Sequence, residues 1–135
     1  MIDKEIIKIA SNTENHGVLD NHTHFSKLKN AICGDEMKVY LLVENNKIVN
    51  FKYECESCIY CQASVSLLSR NAKNQSIEEI KDFAKQAKNS FDSKVSFNRA
   101  WKDFSKIMNN NNIARKECLL LPINAAVNAL LIKKL

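Results

Sequence analysis

A chain of 135 residues with 45% hydrophobic and 26% charged residues has the composition of a globular protein that can bury one core, so we expect a single domain over residues 1–135. The formal net charge is +5, but the 20 Lys and Arg residues are scattered without interleaved aromatics, which argues against a nucleic-acid partner. The N-terminus lacks the apolar core of a signal peptide, and no stretch approaches the ~18 apolar residues of a membrane span, so we expect a cytoplasmic protein with no membrane partner.

The N-terminal part of the chain predicts one short helix and little other regular structure. Isoleucines stand beside charged residues over Asp3–Ala10, which predicts a helix. Its apolar residues are Ile6, Ile7 and Ile9. Ser11–Asn30 is polar and predicted to be irregular, apart from a short strand around Phe25–Lys29.

The next segment predicts a β-hairpin with one buried face. Glu36–Glu44 and Lys47–Glu54 each alternate apolar and polar residues, and Asn45-Asn46 between them suits a two-residue turn with positive φ. The residues predicted to share the buried face are Met37, Val39, Leu41 and Val43 in the first strand and Val49, Phe51 and Tyr53 in the second.

The second half of the chain changes to a helical period. Helices are predicted over Gln62–Ala72, after the capping box Ser76-Ile-Glu-Glu79, around Trp101, and from about Cys118 to Lys134. Their apolar positions are Val65, Leu68, Ala72; Ile77, Ile80, Phe83, Ala84, Ala87; Phe97, Trp101, Phe104, Met108; and Ile123, Ala126, Val127, Leu130, Leu131.

Two local features complete this prediction. Asn109–Asn112 is a run of four asparagines and is predicted to be a loop, while Pro122 fits the last helix only in its first turn. With strands first and helices after them, the predicted fold class is α+β, a small antiparallel sheet packed against helices.

The five cysteines predict metal ligands or reactive thiols rather than disulfides, as expected in the cytosol. Cys55, Cys58 and Cys61 lie three residues apart in YECESCIYCQAS. A ferredoxin-type cluster needs a further Cys-Pro segment, and a zinc finger needs a second CxxC or a paired set of histidines. The histidines, His16, His22 and His24, do not have that spacing.

The other two cysteines carry more information. Cys33 and Asp35 flank Gly34 in a predicted turn, so a thiolate and a carboxylate can point at the same ion. Cys118 begins the last helix, where the helix dipole, with Arg115 and Lys116, should lower the thiol pKa.

Three motifs in this order resemble the IscU/NifU/SufU family of iron–sulfur cluster scaffolds. They are Cys33-Gly34-Asp35, then Cys58 followed by Ala63-Ser64, then Arg115-Lys-Glu-Cys118 at the start of the last helix. The resemblance implies the family's fold and the ligand set Cys33, Asp35, Cys58 and Cys118. Cys55 and Cys61 are then packed small residues or auxiliary persulfide-carrying thiols.

The same resemblance implies a non-enzymatic carrier. Such a protein accepts sulfur from a cysteine desulfurase on Cys33 or Cys118, builds a transient [2Fe–2S] cluster and transfers it to apo iron–sulfur client proteins. The alternative is a zinc-bound sulfur acceptor that activates the desulfurase, with zinc on the same four residues. A structural zinc domain that only binds a partner is a third possibility.

The chain also departs from the family pattern. Cys55 and Ser57 stand where the family usually has the two glycines of GxGC, and Glu117 replaces a histidine. Asn109–Ile113 replaces the segment that the IscU branch offers to its chaperone. The long stretch between Ile80 and Arg115 makes the resemblance nearer to the SufU-like branch.

Overall fold

The computed structural model of the protein describes residues 3–31, 33–91 and 97–131. These residues form three β-strands, four α-helices and two 3-10 helices. The elements are α1 Lys4–Ala10, β1 His24–Lys29, β2 Glu36–Glu44, β3 Lys47–Glu56, α2 Ile59–Asn71, α3 Ile77–Asn89, a first 3-10 helix Arg99–Lys106, a second 3-10 helix Asn110–Arg115 and α4 Lys116–Leu131. The predicted α+β fold class is confirmed.

The sheet is antiparallel with strand order β1-β2-β3. The hairpin turns at Asn45 and Asn46, whose φ values of 52° and 64° confirm the predicted turn. Asparagine tolerates this left-handed conformation better than other residues with a Cβ, because its short polar side chain can bond the local backbone. The turn therefore sets which residues of β2 and β3 face each other.

The prediction that Val49 shares the buried face of β3 is wrong. The strand register shifts between Leu42 and Val43, where Leu42 pairs with Asn50 but Val43 pairs with Ile48. This irregularity leaves Val49 without a partner and 45% exposed, while Ile48 is 1% exposed. An extra residue reverses the alternation beyond it. Phe51 and Tyr53 lie on the side of the shift away from the hairpin turn and are buried as predicted.

The local signals for the first and third α-helices are confirmed. Asp3 caps α1 by accepting a hydrogen bond from the Glu5 backbone N–H. Ser76 and Glu79 form the capping box of α3, each side chain accepting from the other's backbone N–H. The predicted inward positions of α2 are confirmed, since Val65, Leu68 and Ala72 are fully buried. In α1, Ile6 and Ile9 are buried, whereas Ile7 is 46% exposed.

The segment after α3 differs from the prediction in helix type. Arg99–Lys106 and Asn110–Arg115 are 3-10 helices, and the second contains most of the asparagine run that was predicted to be a loop. Two of the residues predicted to form the apolar side of this segment are buried. Trp101 stacks on Phe83 with ring centroids 4.2 Å apart, and Phe104 is fully buried. This aromatic group belongs to the core.

The last helix starts earlier than predicted. Because α4 begins at Lys116, Pro122 lies in its second turn instead of its first. Proline removes the backbone N–H that would bond the Cys118 carbonyl. Near this point the Ser64 hydroxyl donates a 2.6 Å hydrogen bond to the Leu119 carbonyl, which ties α4 to α2. Leu131 is 64% exposed, and residues 132–134 lie outside the described residues.

The core lies between the sheet and the helices. α4 packs on β1 and β2, and α2 packs on β3, α1 and α4. The Ser26 hydroxyl of β1 donates a hydrogen bond to the Ala125 carbonyl, which fixes the sheet against α4. This packing brings the start of β2, the end of β3, and the starts of α2 and α4 to the same end of the molecule. In the described ranges, no helix has both the length and the apolar character that a membrane crossing requires.

Candidate metal centre

The turn before β2 presents Cys33 and Asp35 in different environments. The Gly34 N–H bonds the Asn30 carbonyl, and the Asn30 N–H bonds the Asp35 carbonyl, both at 2.8 Å. Gly34 has φ of 77°, a left-handed conformation that favours glycine. The closed turn leaves the Cys33 thiol exposed and buries the Asp35 side chain.

The other two predicted ligands stand at the starts of helices. Cys58 is the N-cap residue of α2, with an extended backbone and a thiol that makes no capping hydrogen bond. Cys118 is the third residue of α4 and is buried. Both thiols are therefore held by helix starts that the α2–α4 packing brings side by side.

Three of the four predicted ligands converge closely. One ligand atom from each of Cys33, Asp35 and Cys118 lies within 4.8 Å of the other two. The Cys33 and Cys118 sulfurs are 3.9 Å apart. Cys58 is not in this group of three, but its thiol is near enough to Cys118 to contribute to the raised pKa of that thiol. We call Cys33, Cys58 and Cys118 the site thiols.

The Asp35 carboxylate tests whether a metal ion fits this site. Asp35 is 8% exposed, and its Oδ2 atom is buried without a hydrogen-bond partner among the described residues. Leaving such an atom unpaired costs about 1–3 kcal/mol, more when it is charged, so unpaired buried groups need an explanation. A metal ion beside the thiols would satisfy it. Thiolates with one carboxylate fit zinc or iron.

The expectation that the start of α4 lowers the thiol pKa of Cys118 is wrong. Burial, followed by the Cys58 and Cys33 thiols, raises the pKa of Cys118 from an ordinary value of 9.0 to about 12. Desolvation and a second nearby thiolate both disfavour the charged form, and together they outweigh the helix dipole. Without a metal, Cys118 is therefore a thiol at neutral pH.

Cys55 and Cys61 form a second group, which we call the inner thiols. Cys61 is fully buried in α2, and Cys55 is half-buried in β3 opposite Met37. Burial raises the pKa of both thiols, and the Ser57 hydroxyl beside them offsets part of the rise. Cys61 belongs to the hydrophobic core and Cys55 packs against it, which agrees with the packing interpretation.

Of the other residues singled out from the sequence, Arg115 contacts the first turn of α2, and the three histidines lie outside the group of metal-ligating side chains. The Arg115 guanidinium lies over the Tyr60 ring, 5.2 Å from its centroid, so the residue before α4 contacts the first turn of α2. No sequence signal links these two positions, because the contact depends on helix packing. The histidines His16, His22 and His24 do not join the group of metal-ligating side chains. His16 instead meets the edge of Tyr53.

The family model for the NifU-like N-terminal domain matches residues 1–95, more than half of the chain. The protein belongs to the NifU-like family. This confirms the IscU/NifU/SufU resemblance drawn from the motifs. The matched range includes Cys33, Asp35 and Cys58, while Cys118 lies beyond it.

Named relatives of this NifU-like chain are scaffold proteins. An iron–sulfur cluster assembly scaffold protein IscU of Thermotoga maritima is 33% identical over 87 residues, 64% of this chain and 61% of the relative. Two IscU scaffold proteins of Archaeoglobus fulgidus are 26% identical over 87 residues, 64% of this chain and 57% of theirs. The matches therefore span less than two thirds of these curated relatives' length.

Solved structures share the fold over nearly the whole chain. The N-terminal part of a NifU-like protein from Brucella abortus superposes with a TM-score of 0.83 at 23% identity, covering 95% of this chain and 90% of that one. A putative iron–sulfur cluster assembly scaffold protein for the SUF system from Fervidobacterium islandicum has a TM-score of 0.81 at 26% identity, with 96% of both chains covered. This chain therefore shares its fold with both of these solved proteins.

Proposed function

We propose that this NifU-like protein is an iron–sulfur cluster assembly scaffold. It accepts sulfur from a cysteine desulfurase, assembles a transient [2Fe–2S] cluster on Cys33, Asp35, Cys58 and Cys118, and transfers the cluster to apo-proteins. The observation that carries this proposal is the convergence of Cys33, Asp35 and Cys118, whose ligand atoms lie within 4.8 Å of one another, together with a buried Asp35 oxygen that has no hydrogen-bond partner among the described residues. The named relatives are scaffold proteins, which supports the same function.

The composition of the site suits loading and release better than permanent storage. Thiolates are soft ligands that bind iron firmly, and one hard carboxylate binds it less well. Exposed Cys33 is open to a partner's mobile cysteine, while Cys118 and Asp35 hold the inner side of the site. In this role the protein is a carrier that performs no turnover of its own. We propose that residues 1–135 act as one scaffold domain in the cytoplasm, with no nucleic-acid or membrane partner.

The exposure of Cys33 also favours a second candidate function, a zinc-bound sulfur acceptor. Zinc would hold the same four residues, and Cys33, the exposed ligand, would be released when the desulfurase docks. Four donors of this kind match the tetrahedral coordination of zinc. The protein would then activate the desulfurase as a sulfurtransferase partner without building a cluster.

Anaerobic reconstitution separates the two functions. The purified protein is incubated with ferrous iron and sulfide, and cluster formation is followed by visible absorption, with Cys58→Ser as the negative control. Metal analysis of the protein as isolated, together with a desulfurase stimulation assay, tests the zinc alternative. A cluster that reaches an apo-ferredoxin supports the scaffold. Tightly held zinc, desulfurase stimulation and no cluster support the second function.

A further inference from the structure

Two site thiols are placed close enough to react with each other. Cys33 and Cys118 are 85 positions apart in the chain, yet their sulfurs are 3.9 Å apart. A disulfide has sulfurs about 2.05 Å apart, so a movement of about 2 Å would join them. Cys33 is exposed at a turn, so its side chain is not held by core packing.

The two thiols differ in access. Cys33 is exposed, whereas Cys118 is 6% exposed and lies on the inner side of the site. A sulfur donor from outside reaches Cys33 first. Cys118 is then the thiol behind it, already within a short side-chain movement of any sulfur that Cys33 carries.

We propose that Cys118 resolves a persulfide on Cys33 and thereby releases sulfide inside the site, an inference that rests on the proposed role as sulfur acceptor. The Cys118 sulfur attacks the Cys33 sulfur and forms a bond with it. The bond from the Cys33 sulfur to the terminal sulfur breaks, and its electron pair leaves with the terminal sulfur. The products are a Cys33–Cys118 disulfide and hydrogen sulfide.

The step balances in atoms, protons and electrons. The terminal sulfur arrives as zero-valent sulfur and gains two electrons, while the sulfurs of Cys33 and Cys118 lose one each. The proton of the Cys118 thiol ends on the departing sulfur. Hydrogen sulfide is a stronger acid than an alkyl thiol, and the more acidic sulfur is the faster leaving group.

This step supplies what cluster assembly requires. Desulfurase sulfur is zero-valent, whereas the inorganic sulfur of a cluster is sulfide, so two electrons must enter. Here the two thiols provide them, and a dithiol reductant restores both thiols before the site takes metal. Cys118 is taken as the partner of Cys33 because the 3.9 Å contact joins these two sulfurs.

The test uses the metal-free, fully reduced full-length protein and inorganic polysulfide as the sulfur donor. After anaerobic removal of reductant, the protein is treated with less than one equivalent of polysulfide. Sulfide release is measured, and the cysteine pairs are mapped by mass spectrometry after alkylation. We expect about one sulfide per persulfide formed, with a Cys33–Cys118 disulfide as the product. In Cys118→Ser, the Cys33 persulfide should persist and sulfide release should slow by about tenfold or more.

Cys55→Ser is the matched control and should release sulfide as the wild type does. A wild-type Cys33 persulfide as long-lived as that of Cys118→Ser would overturn the proposal, as would a disulfide between Cys33 and Cys58. The wild-type disulfide map depends on no variant, so a folding defect in Cys118→Ser leaves the test readable. Because the assay needs neither metal nor desulfurase, its failure is distinguishable from failure of the scaffold function, which reconstitution tests separately.

Discussion

The site thiols and the inner thiols occupy one end of the molecule, yet they differ in what surrounds them. The site thiols stand at a turn and at two helix starts, and two of them, Cys33 and Cys118, lie within 4.8 Å of an Asp35 carboxylate oxygen. Of the inner thiols, Cys61 is fully buried within α2 and Cys55 is half-buried in β3, and neither belongs to the group of metal-ligating atoms. The three cysteines of YECESCIYCQAS therefore have different surroundings, although they are evenly spaced in the sequence. Even spacing in the sequence does not distinguish these thiols, whereas their surroundings in the fold do.

The largest expected effect is loss of metal from the site-thiol variants. Cys33→Ser, Cys58→Ser and Cys118→Ser should each abolish tight zinc or cluster binding, because each leaves three ligands of four. Cys55→Ser and Cys61→Ser should retain it. Metal content after gel filtration with a chelator is the measurement. If Cys55→Ser lost metal as completely as Cys58→Ser, the division between the two groups would be wrong.

Cys61→Ser needs one further control, because Cys61 is fully buried. A hydroxyl placed there without a partner should lower the unfolding free energy by about 1–3 kcal/mol. Cys61→Ala removes the thiol without adding a polar group. Metal retained in both variants, with the larger loss of stability in Cys61→Ser, separates packing from ligation.

Asp35→Ala should change the lifetime of the cluster by several fold. In a delivery scaffold the exchangeable carboxylate opens the cluster to a recipient, so its removal should slow decay in air and impair transfer to an apo-ferredoxin. In a structural zinc site, loss of one ligand should weaken binding and destabilise the fold. Wild type and variant are reconstituted side by side. Faster decay, or a variant that fails to fold, would favour the structural zinc domain.

The pH dependence of zinc binding should reflect the raised pKa of Cys118. Its pKa of about 12 exceeds the ordinary value of 9.0, so the metal-free protein binds this proton throughout the neutral range. Zinc needs the thiolate, so binding releases the proton and apparent affinity should rise with pH up to about 12. Zinc titrations from pH 6 to pH 9 test this sign. Cys55→Ser should show the same slope, since an inner thiol keeps its proton with or without metal.

Stability of the metal-free protein should move in the opposite direction. Folding raises the pKa values of Cys118 and Cys61, so the stabilising contribution is present below pH 9.0 and is lost as pH rises towards the folded values. Thermal unfolding measured above and below pH 9.0 checks this. Cys61→Ala should reduce the loss, whereas an unchanged profile would show that the inner thiol does not contribute.

The smallest expected effect is on the rate at which the desulfurase associates with the surface around Arg115. Arg115→Glu should slow association with the desulfurase by a few fold at low salt, while zinc affinity changes little, because an exposed charge tunes encounter more than binding strength. Arg99→Glu, an equal charge change on the first 3-10 helix, is the matched control. Equal association rates for wild type and Arg115→Glu at low salt would show that the desulfurase does not dock on the surface around Arg115.

By itself, the sequence determined the parts of this protein that depend on near neighbours. The Asn45-Asn46 turn, the Ser76 capping box and the alternation in Glu36–Glu44 are local signals, and each predicted the observed element. The motif around Cys33-Gly34-Asp35 likewise indicated the family, which the family match confirms. The four-residue ligand set remains a prediction, and the structure brings three of its members within 4.8 Å.

Tertiary structure decided the features that depend on contacts between distant residues. The register shift at Leu42 exposes Val49, and no local pattern reports it. The pKa of Cys118 is raised because packing buries the thiol beside Cys33 and Cys58, which outweighs a helix start visible in the sequence. The 3.9 Å approach of the Cys33 and Cys118 sulfurs depends on the packing of α4 against the sheet. Desolvation and side-chain proximity are properties of the packed chain, so spacing along the sequence cannot specify them.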